Sequence, residues 1–245
     1  MLEYQPKKDL LKNKIVLVTG AGDGIGKQAA LSYAALGATV ILLGRTQQKL
    51  VAVYDAIIAQ GQATPAIVAL DLQTANDAQY QELAQLIAHE FGQLDGLLHN
   101  ASLLGSLGPL EHLPIDTLET VLKVNVTAQV ALTQALLPLL RKAPSASIIF
   151  TSSSVGRKGR AFWGAYAISK FATEGVMQTL ADELDGSTIR SNSINPGATR
   201  TTMRASAYPA EDPQTLKTPA EIMPIYEYLM GEDSLHENGR AFNAQ

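Results

Sequence analysis

The chain has 245 residues, 46% of them hydrophobic and 17% charged; that is enough apolar surface for a sizeable core, and it excludes a largely disordered chain. At this length one or two domains are expected, and α/β folds of this size are often single. Lys plus Arg total 19 and Asp plus Glu total 23, a formal net charge of -4, which argues against a general nucleic-acid binder with its basic face.

The run 14–19 (KIVLVT), bounded by Gly20, predicts a buried strand. A helical pattern follows over 23–36 and stops at Gly37, where a helix end favours glycine. Next come a strand at 39–43 (TVILL), a helix over 46–60 stopped by Gly61, and a strand at 66–70 (AIVAL). A helix over 74–91, a short strand at 94–99 and a long helix over 117–142 continue the alternation. The strand 147–151 (SIIFT), the helix 164–184 and the strand 189–194 follow. The stretch 197–217 reads as irregular, before a helix over 219–230 and a last strand at 240–243. Strands alternating with helices predict an α/β fold of the Rossmann type, a doubly wound parallel sheet with helices on both faces. No linker, repeat or change of composition divides residues 1–245, so one domain is expected.

There is no cysteine, which excludes disulfides, thiolate metal ligands and cysteine nucleophiles. The histidines His89, His99, His112 and His236 are scattered without metal-ligand spacing, and no metal is expected. The N-terminal stretch to Lys14 lacks the apolar run of a secretion signal, and no segment is apolar for the length of a membrane span. A cytoplasmic protein is expected, with neither membrane nor nucleic acid as partner.

The first predicted strand ends in Thr19-Gly20-Ala21-Gly22-Asp23-Gly24-Ile25-Gly26. A strand, a glycine turn and a helix start can hold a pyrophosphate on backbone N–H groups, where side chains would block the approach. The spacing is not GxGxxG, since Ile25 stands where the last glycine would fall; it fits TGxxxGxG. A tight turn without a ligand is the plain alternative. At the end of the second strand stand Gly44, Arg45 and Thr46, and no acidic residue lies between Asp23 and Asp55. A carboxylate there would bind the ribose 2′-OH of NAD, whereas Arg45 can pair with the 2′-phosphate of NADP. NADP is therefore the expected cofactor, with Arg45 as a solvated helix-start charge the alternative.

Tyr166 and Lys170 are four residues apart in a predicted helix and so share a face. A neighbouring ammonium favours a phenolate and should lower the tyrosine pKa. Ser153, 13 residues before Tyr166, follows a strand whose carboxyl end should face the ligand crevice.

With these residues in place the sequence resembles the short-chain dehydrogenase/reductase family over about 12–243. The family's glycine motif appears as Thr19–Gly26, its adenine-side acid as Asp71 in Leu70-Asp71-Leu72, and its N-N-A-G as His99-Asn100-Ala101-Ser102. Its helix asparagine appears as Asn125, and its N-x-x-x-P-G as Asn192 to Pro196-Gly197, with Thr199 and Thr201 beyond. The segments SSSVGR, SKFATEG and TRTxMRASA further resemble the YciK-type branch of uncharacterised oxidoreductases. The resemblance implies catalytic roles for Asn125, Ser153, Tyr166 and Lys170. Tyr166 would be the acid or base, Ser153 would polarise the substrate oxygen, and Lys170 would hold the nicotinamide ribose. The carbonyl of Asn125 would hold a water in a proton relay. It implies a cofactor surface of Thr19, Gly20, Gly22, Asp23, Gly24, Ile25, Gly26, Gly44, Arg45, Asp71, Leu72, Asn100, Ala101, Tyr166, Lys170, Pro196, Gly197, Thr199 and Thr201. Structural roles are the alternatives: Asn125 satisfying helix neighbours, Asp71 capping a turn, Thr201 as a loop hydroxyl. Two positions depart from the motif, His99 for asparagine and Ser102 for glycine, and Ser102 alters the room beside the adenine ribose.

The expected function is hydride transfer between NADP(H), as NADPH in reduction, and a small carbonyl or alcohol. A non-catalytic NADP(H) sensor is the rival, and a nucleotide-sugar epimerase is disfavoured by the glycine spacing. Leu103, Leu104, Leu107, Val155, Phe162, Trp163 and Met203 stand near the motif ends, as substrate contacts or as loop packing. The helices over 117–142 and 164–184 are apolar on more than one face (Val121, Leu122, Val130, Leu136, Leu137; Phe171, Val176, Met177, Leu180). Such helices are buried on both sides, which predicts a homodimer or homotetramer.

Overall fold

A computed structural model describes residues 4–245. Successive strand side chains point to opposite faces, and the first strand, β1 (Ile15–Thr19), shows the consequence. Leu17 enters one apolar core, while Val16 and Val18 enter another. The next strand, β2 (Thr39–Gly44), divides in the same way, Ile41 and Leu43 against Val40 and Leu42. The remaining strands are β3 (Ala66–Ala69), β4 (Gly96–His99), β5 (Ala146–Thr151), β6 (Ile189–Asn195) and β7 (Ala241–Asn243). All pair in parallel in the order β3-β2-β1-β4-β5-β6-β7.

Three helices cover the first face: α1 (Gly24–Ala35), α2 (Gln47–Ala59) and, numbered by its place in the chain, α8 (Met223–Met230). The second face carries α3 (Asp77–Phe91), α5 (Ala128–Leu140) and α6 (Gly164–Glu183). This is the expected single-domain Rossmann-type sheet. The chain leaves β1 for β2 on one side and later returns to β4 on the other. That reversal opens a crevice at the carboxyl ends of the strands. Among the described residues no helix is long and apolar enough to cross a membrane, and no carboxylate–histidine cluster could hold a metal ion.

The helix expected over 117–142 is not continuous. It consists of α4 (Ile115–Leu122), a π-helical turn (Lys123–Thr127) and α5. The stretch expected to be irregular contains the short helix α7 (Thr202–Ala207), capped by the Thr201 hydroxyl, which accepts from Arg204 N at 3.1 Å. The helix expected from 74 starts at Asp77, where Asn76 and Gln79 close a capping box. The helix expected over 219–230 begins as a 3₁₀ turn (Ala220–Ile222) before α8.

Candidate active site

A cavity of about 490 Å³ runs along the strand ends. Its floor is the turn between β1 and α1. Gly20 has φ +67°, and a side chain there would bring a Cβ to 3.0 Å from the Ala101 Cα. A Cβ at Gly26 would lie 2.3 Å from the Gly20 carbonyl oxygen, so only glycine lets α1 approach the turn. Asp23 caps the helix, accepting from Gly24 N at 2.8 Å. The other first-turn N–H groups have no acceptor within the helix, and the dipole there favours an anion. This bare, donor-rich cradle fits a dinucleotide pyrophosphate.

Beside it, Lys49 Nζ pairs with Asp23 Oδ2 at 2.6 Å. The hydrogen bond from that ammonium, ahead of the turn amide, holds the Asp23 carboxyl below its usual range. Arg45 is exposed, lines the cavity, and meets no carboxylate among the described residues. Asp71 also lines the cavity, but its Oδ1 accepts from Gln73 N at 3.0 Å, so it caps its own turn as well.

Thr19 is buried behind the cavity. Its hydroxyl donates to Leu98 O at 3.2 Å and accepts from Asn100 N and Ala101 N at 2.9 and 3.0 Å. It therefore staples the end of β1 to the end of β4. Asn125, fully buried in the π-helical turn, is a second clamp. Its Oδ1 accepts from Leu103 N at 2.7 Å, and its Nδ2 donates to Leu103 O and to Ser169 Oγ, each at 2.9 Å. The Asn125 carbonyl accepts from the Thr173 hydroxyl at 3.3 Å.

Ser153, Tyr166 and Lys170 all line the cavity. Ser153 Oγ accepts from Val155 N at 3.4 Å. Lys170 Nζ donates to Thr151 O at 2.7 Å and lies 5.4 Å from the centre of the Tyr166 ring. Burial pushes the phenol up to about 12, against a smaller lowering by the Ser102 hydroxyl. Burial likewise pushes the Lys170 ammonium down to about 8, with the Glu174 carboxylate opposing. The expected lowering of the tyrosine by its lysine is thus not what this arrangement shows: desolvation raises the phenol, and the smaller opposing effect comes from Ser102 rather than Lys170.

Of the residues expected at the site, only Thr19, Gly26 and Asn125 do not line the cavity; they act from behind it. Thr201 lines it while capping α7, and Thr199 lines it with its hydroxyl on Pro196 O at 3.2 Å. Leu103, Leu104, Trp163 and Met203 reach the cavity, whereas Leu107, Val155 and Phe162 do not. Lys49 and Arg204 line the cavity without being expected there, and Ser102, expected to affect the room beside the adenine ribose, lines it too. Lys49 could have been found, since it stands one helical turn after Arg45. His99 is absent from the lining; it is buried, bonds the Thr133 hydroxyl at 2.8 Å and stacks on Phe150. Burial takes its pKa down to about 3, so it stays neutral.

Buried Lys170 carries a stability cost. Below about pH 8 both folded and unfolded chains hold its proton, and the full cost of burying the ammonium is present. Between about 8 and the ordinary 10.5 the unfolded chain still holds the proton while the folded chain sheds it, so stability rises with pH. Lys170→Met should therefore be more stable than the native chain at pH 7. The gain should be on the order of 2 kcal/mol, after about 1 kcal/mol lost at the Thr151 carbonyl. Urea unfolding at pH 7 and 9.5 checks this; the difference should shrink at the higher pH, and a less stable variant at pH 7 would refute it.

The sequence pattern of the short chain dehydrogenase family matches residues 14–212. The uncharacterized oxidoreductase YciK of Escherichia coli K12 is 57% identical over 244 residues, spanning 100% of this chain and 96% of that protein. A short chain dehydrogenase from Shigella flexneri 2a, crystallised as a complex with NADP, superposes with a TM-score of 0.96 at 56% identity, covering 98% of this chain and 100% of its own. One from Escherichia coli CFT073, complexed with NADPH, gives 0.96 at 57% identity over the same shares.

Proposed function

We propose that this chain, which belongs to the short chain dehydrogenase family, is an NADP(H)-dependent oxidoreductase acting on a carbonyl or alcohol. Residues 1–245 act as one NADP-binding unit in this reading. The observation that carries it is one cavity with Arg45 and the glycine cradle on the β2 side, and Ser153, Tyr166 and Lys170 on the β5 side. Arg45 pairs with the 2′-phosphate, the first turn of α1 takes the pyrophosphate, and the Pro196–Thr201 segment borders the nicotinamide end. The bound cofactor supplies or accepts the hydride.

The remaining chemistry belongs to the protein. Ser153 Oγ donates to the substrate oxygen and orients it. In reduction, Tyr166 Oη–H gives its proton to that oxygen, leaving a phenolate; in oxidation the phenolate takes it back. Lys170 lies below the ring and stabilises the phenolate charge when protonated. The Asn125 carbonyl keeps a second lone pair for a water that returns the proton. Leu104, Trp163 and Met203 border the substrate end and favour a partly apolar substrate. Complexes of related structures with NADP and NADPH support the cofactor. The test is a carbonyl panel monitored by NADPH absorbance. Turnover supports the reading; tight NADPH binding with no turnover on any carbonyl or alcohol favours a sensor.

The same reading includes an assembly. Val121, Leu136 and Met177 point into the core, but Ile168 and Phe171 of α6 remain 41% and 46% exposed. A second copy covering this helix face would bury them across a two-fold axis. Light scattering at micromolar concentration should give a dimer or tetramer, and Phe171→Glu should weaken it. A monomeric native chain would remove this part of the proposal.

A further inference from the structure

Trp163 is the only tryptophan of the chain, and it stands where the substrate end of the cavity meets Tyr166. It lines the cavity, and its ring centre lies 5.8 Å from that of Tyr166. The backbone that presents it is strained. Phe162, the residue before, has φ +71°, a left-handed conformation that is an outlier for an aromatic residue. Its carbonyl accepts from Gly108 N at 2.9 Å. Such strain persists only where the surroundings dictate it, and it gathers at ligand sites. On the ring side the neighbour is Tyr208, which ends α7, with ring centres 5.9 Å apart. Tyr208 does not line the cavity and belongs to neither apolar core; its own anchor is Arg204. The Arg204 guanidinium lies over the Tyr208 ring, 3.8 Å from its centre. Arg204 Nε and Nη2 both donate to the Glu211 carboxylate, each at 2.6 Å. A bidentate pair fixes direction as well as distance. Glu211 therefore aims the guanidinium, the guanidinium seats the Tyr208 ring, and that ring backs Trp163.

We propose that Tyr208 is a positioning residue for the substrate end: it holds Trp163 against Tyr166, and so sets how tightly a carbonyl substrate is gripped beside the phenol. The proposal rests on the oxidoreductase reading given above. A substrate oxygen within reach of Ser153 and Tyr166 leaves its carbon substituents to Leu104, Trp163 and Met203. An indole free to swing would lose that freedom at each binding event, at a cost in affinity. With Tyr208 behind it, the indole is ordered before the substrate arrives. Arg204 also lines the cavity, but its charge is matched by Glu211. This wall therefore suits an uncharged, apolar substituent, since a carboxylate would meet no free cation on it.

The experiment has two arms. In the first, acrylamide, an uncharged quencher, is titrated against the Trp163 fluorescence of the ligand-free protein under tryptophan-selective excitation. Tyr208→Ala should move the quenching constant towards that of N-acetyltryptophanamide, and Tyr208→Phe, which keeps the ring, should leave it native. In the second arm, benzaldehyde is reduced with NADPH; if it is not turned over, the carbonyl of highest turnover in the panel takes its place. Tyr208→Ala should raise the carbonyl KM about two- to tenfold, the worth of one aromatic pair. Its kcat and NADPH affinity should stay nearly unchanged, and Tyr208→Phe should restore the KM. Glu211→Ala should shift KM and quenching less but in the same direction, because Glu211 lies outside the cavity lining and acts through Arg204. A merely structural role would lower kcat with the fraction of active protein and leave KM alone. Unmoved quenching, or an unmoved KM, in folded Tyr208→Ala overturns the proposal. If Tyr208→Ala does not fold, Glu211→Ala decides the matter alone. A native chain with no turnover on any carbonyl or alcohol overturns the oxidoreductase reading, while the quenching still decides whether Tyr208 holds Trp163.

Discussion

Replacing Tyr166 by Phe should lower reductase turnover by roughly 10²–10⁴-fold, the usual worth of general acid–base catalysis, while leaving NADPH affinity nearly unchanged. The ring stays buried against Trp163, 5.8 Å away between ring centres, so packing is preserved and only the proton donor is lost. Lys170→Ala differs, because the proposed ribose contact goes with it: both turnover and cofactor affinity should fall. The pH dependence separates the two directions of the native reaction. With the phenol pushed up to about 12, Tyr166 stays protonated through neutral pH and serves as an acid throughout. Oxidation needs the phenolate, whose fraction grows tenfold per pH unit below that value, so oxidation should accelerate as pH rises. Steady-state kinetics in both directions, with fluorescence titration of NADPH, measure all of this. Native-like turnover in Tyr166→Phe would sink the assigned mechanism.

Arg45→Asp should exchange cofactor preference. Loss of a charge-assisted contact costs about 1.5–3 kcal/mol, at least about tenfold in NADPH affinity, and the new carboxylate repels the 2′-phosphate besides. NADH should suffer little, since an acid at this strand end can accept from a ribose 2′-OH. The exposed position at the start of α2 makes a folding defect an improbable confounder, and Lys49 remains occupied by Asp23 at 2.6 Å. Titrating both cofactors against both proteins is the measurement. Equal losses would mean that Arg45 serves something other than the 2′-phosphate.

The sheet and the cradle were legible because they rest on local signals. Buried strands are short apolar runs, and a turn that needs bare backbone needs glycine at set spacings. What was not legible depends on contacts across the sheet. Asn125 reads as a helix residue with a carbonyl to offer; its side chain as a clamp on Leu103 appears only when β4 and the interrupted helix are adjacent. Thr19 reads as part of a nucleotide loop, yet its work is to join two strand ends. The α7 helix has six residues, too few for periodicity to show. The direction of the tyrosine shift was missed for a related reason. Sequence spacing places the ammonium near the phenol but says nothing of how far water is excluded from both. The capping box at Asn76 and Gln79, by contrast, was there to be read in the spacing alone.

The π-helical turn at Lys123–Thr127 has a consequence for how this part of the chain can vary in length. Each residue of an α-helix turns the chain by about 100°, and a π-helical turn holds one more residue than the helix around it needs. The wide turn absorbs that surplus, so α4 and α5 keep nearly the phase of one continuous helix. Deleting one residue within the turn would let it close up into regular geometry while the side chains beyond it keep their direction. Leu132, Leu136 and Leu139, buried against the sheet, would stay seated, and the loss would fall on the Asn125 clamp at Leu103. Deleting a residue within α5 itself has no surplus to draw on and would turn every later side chain by about one residue's step. The tolerance of this helix to a change of length is thus confined to the turn that lies behind the cavity.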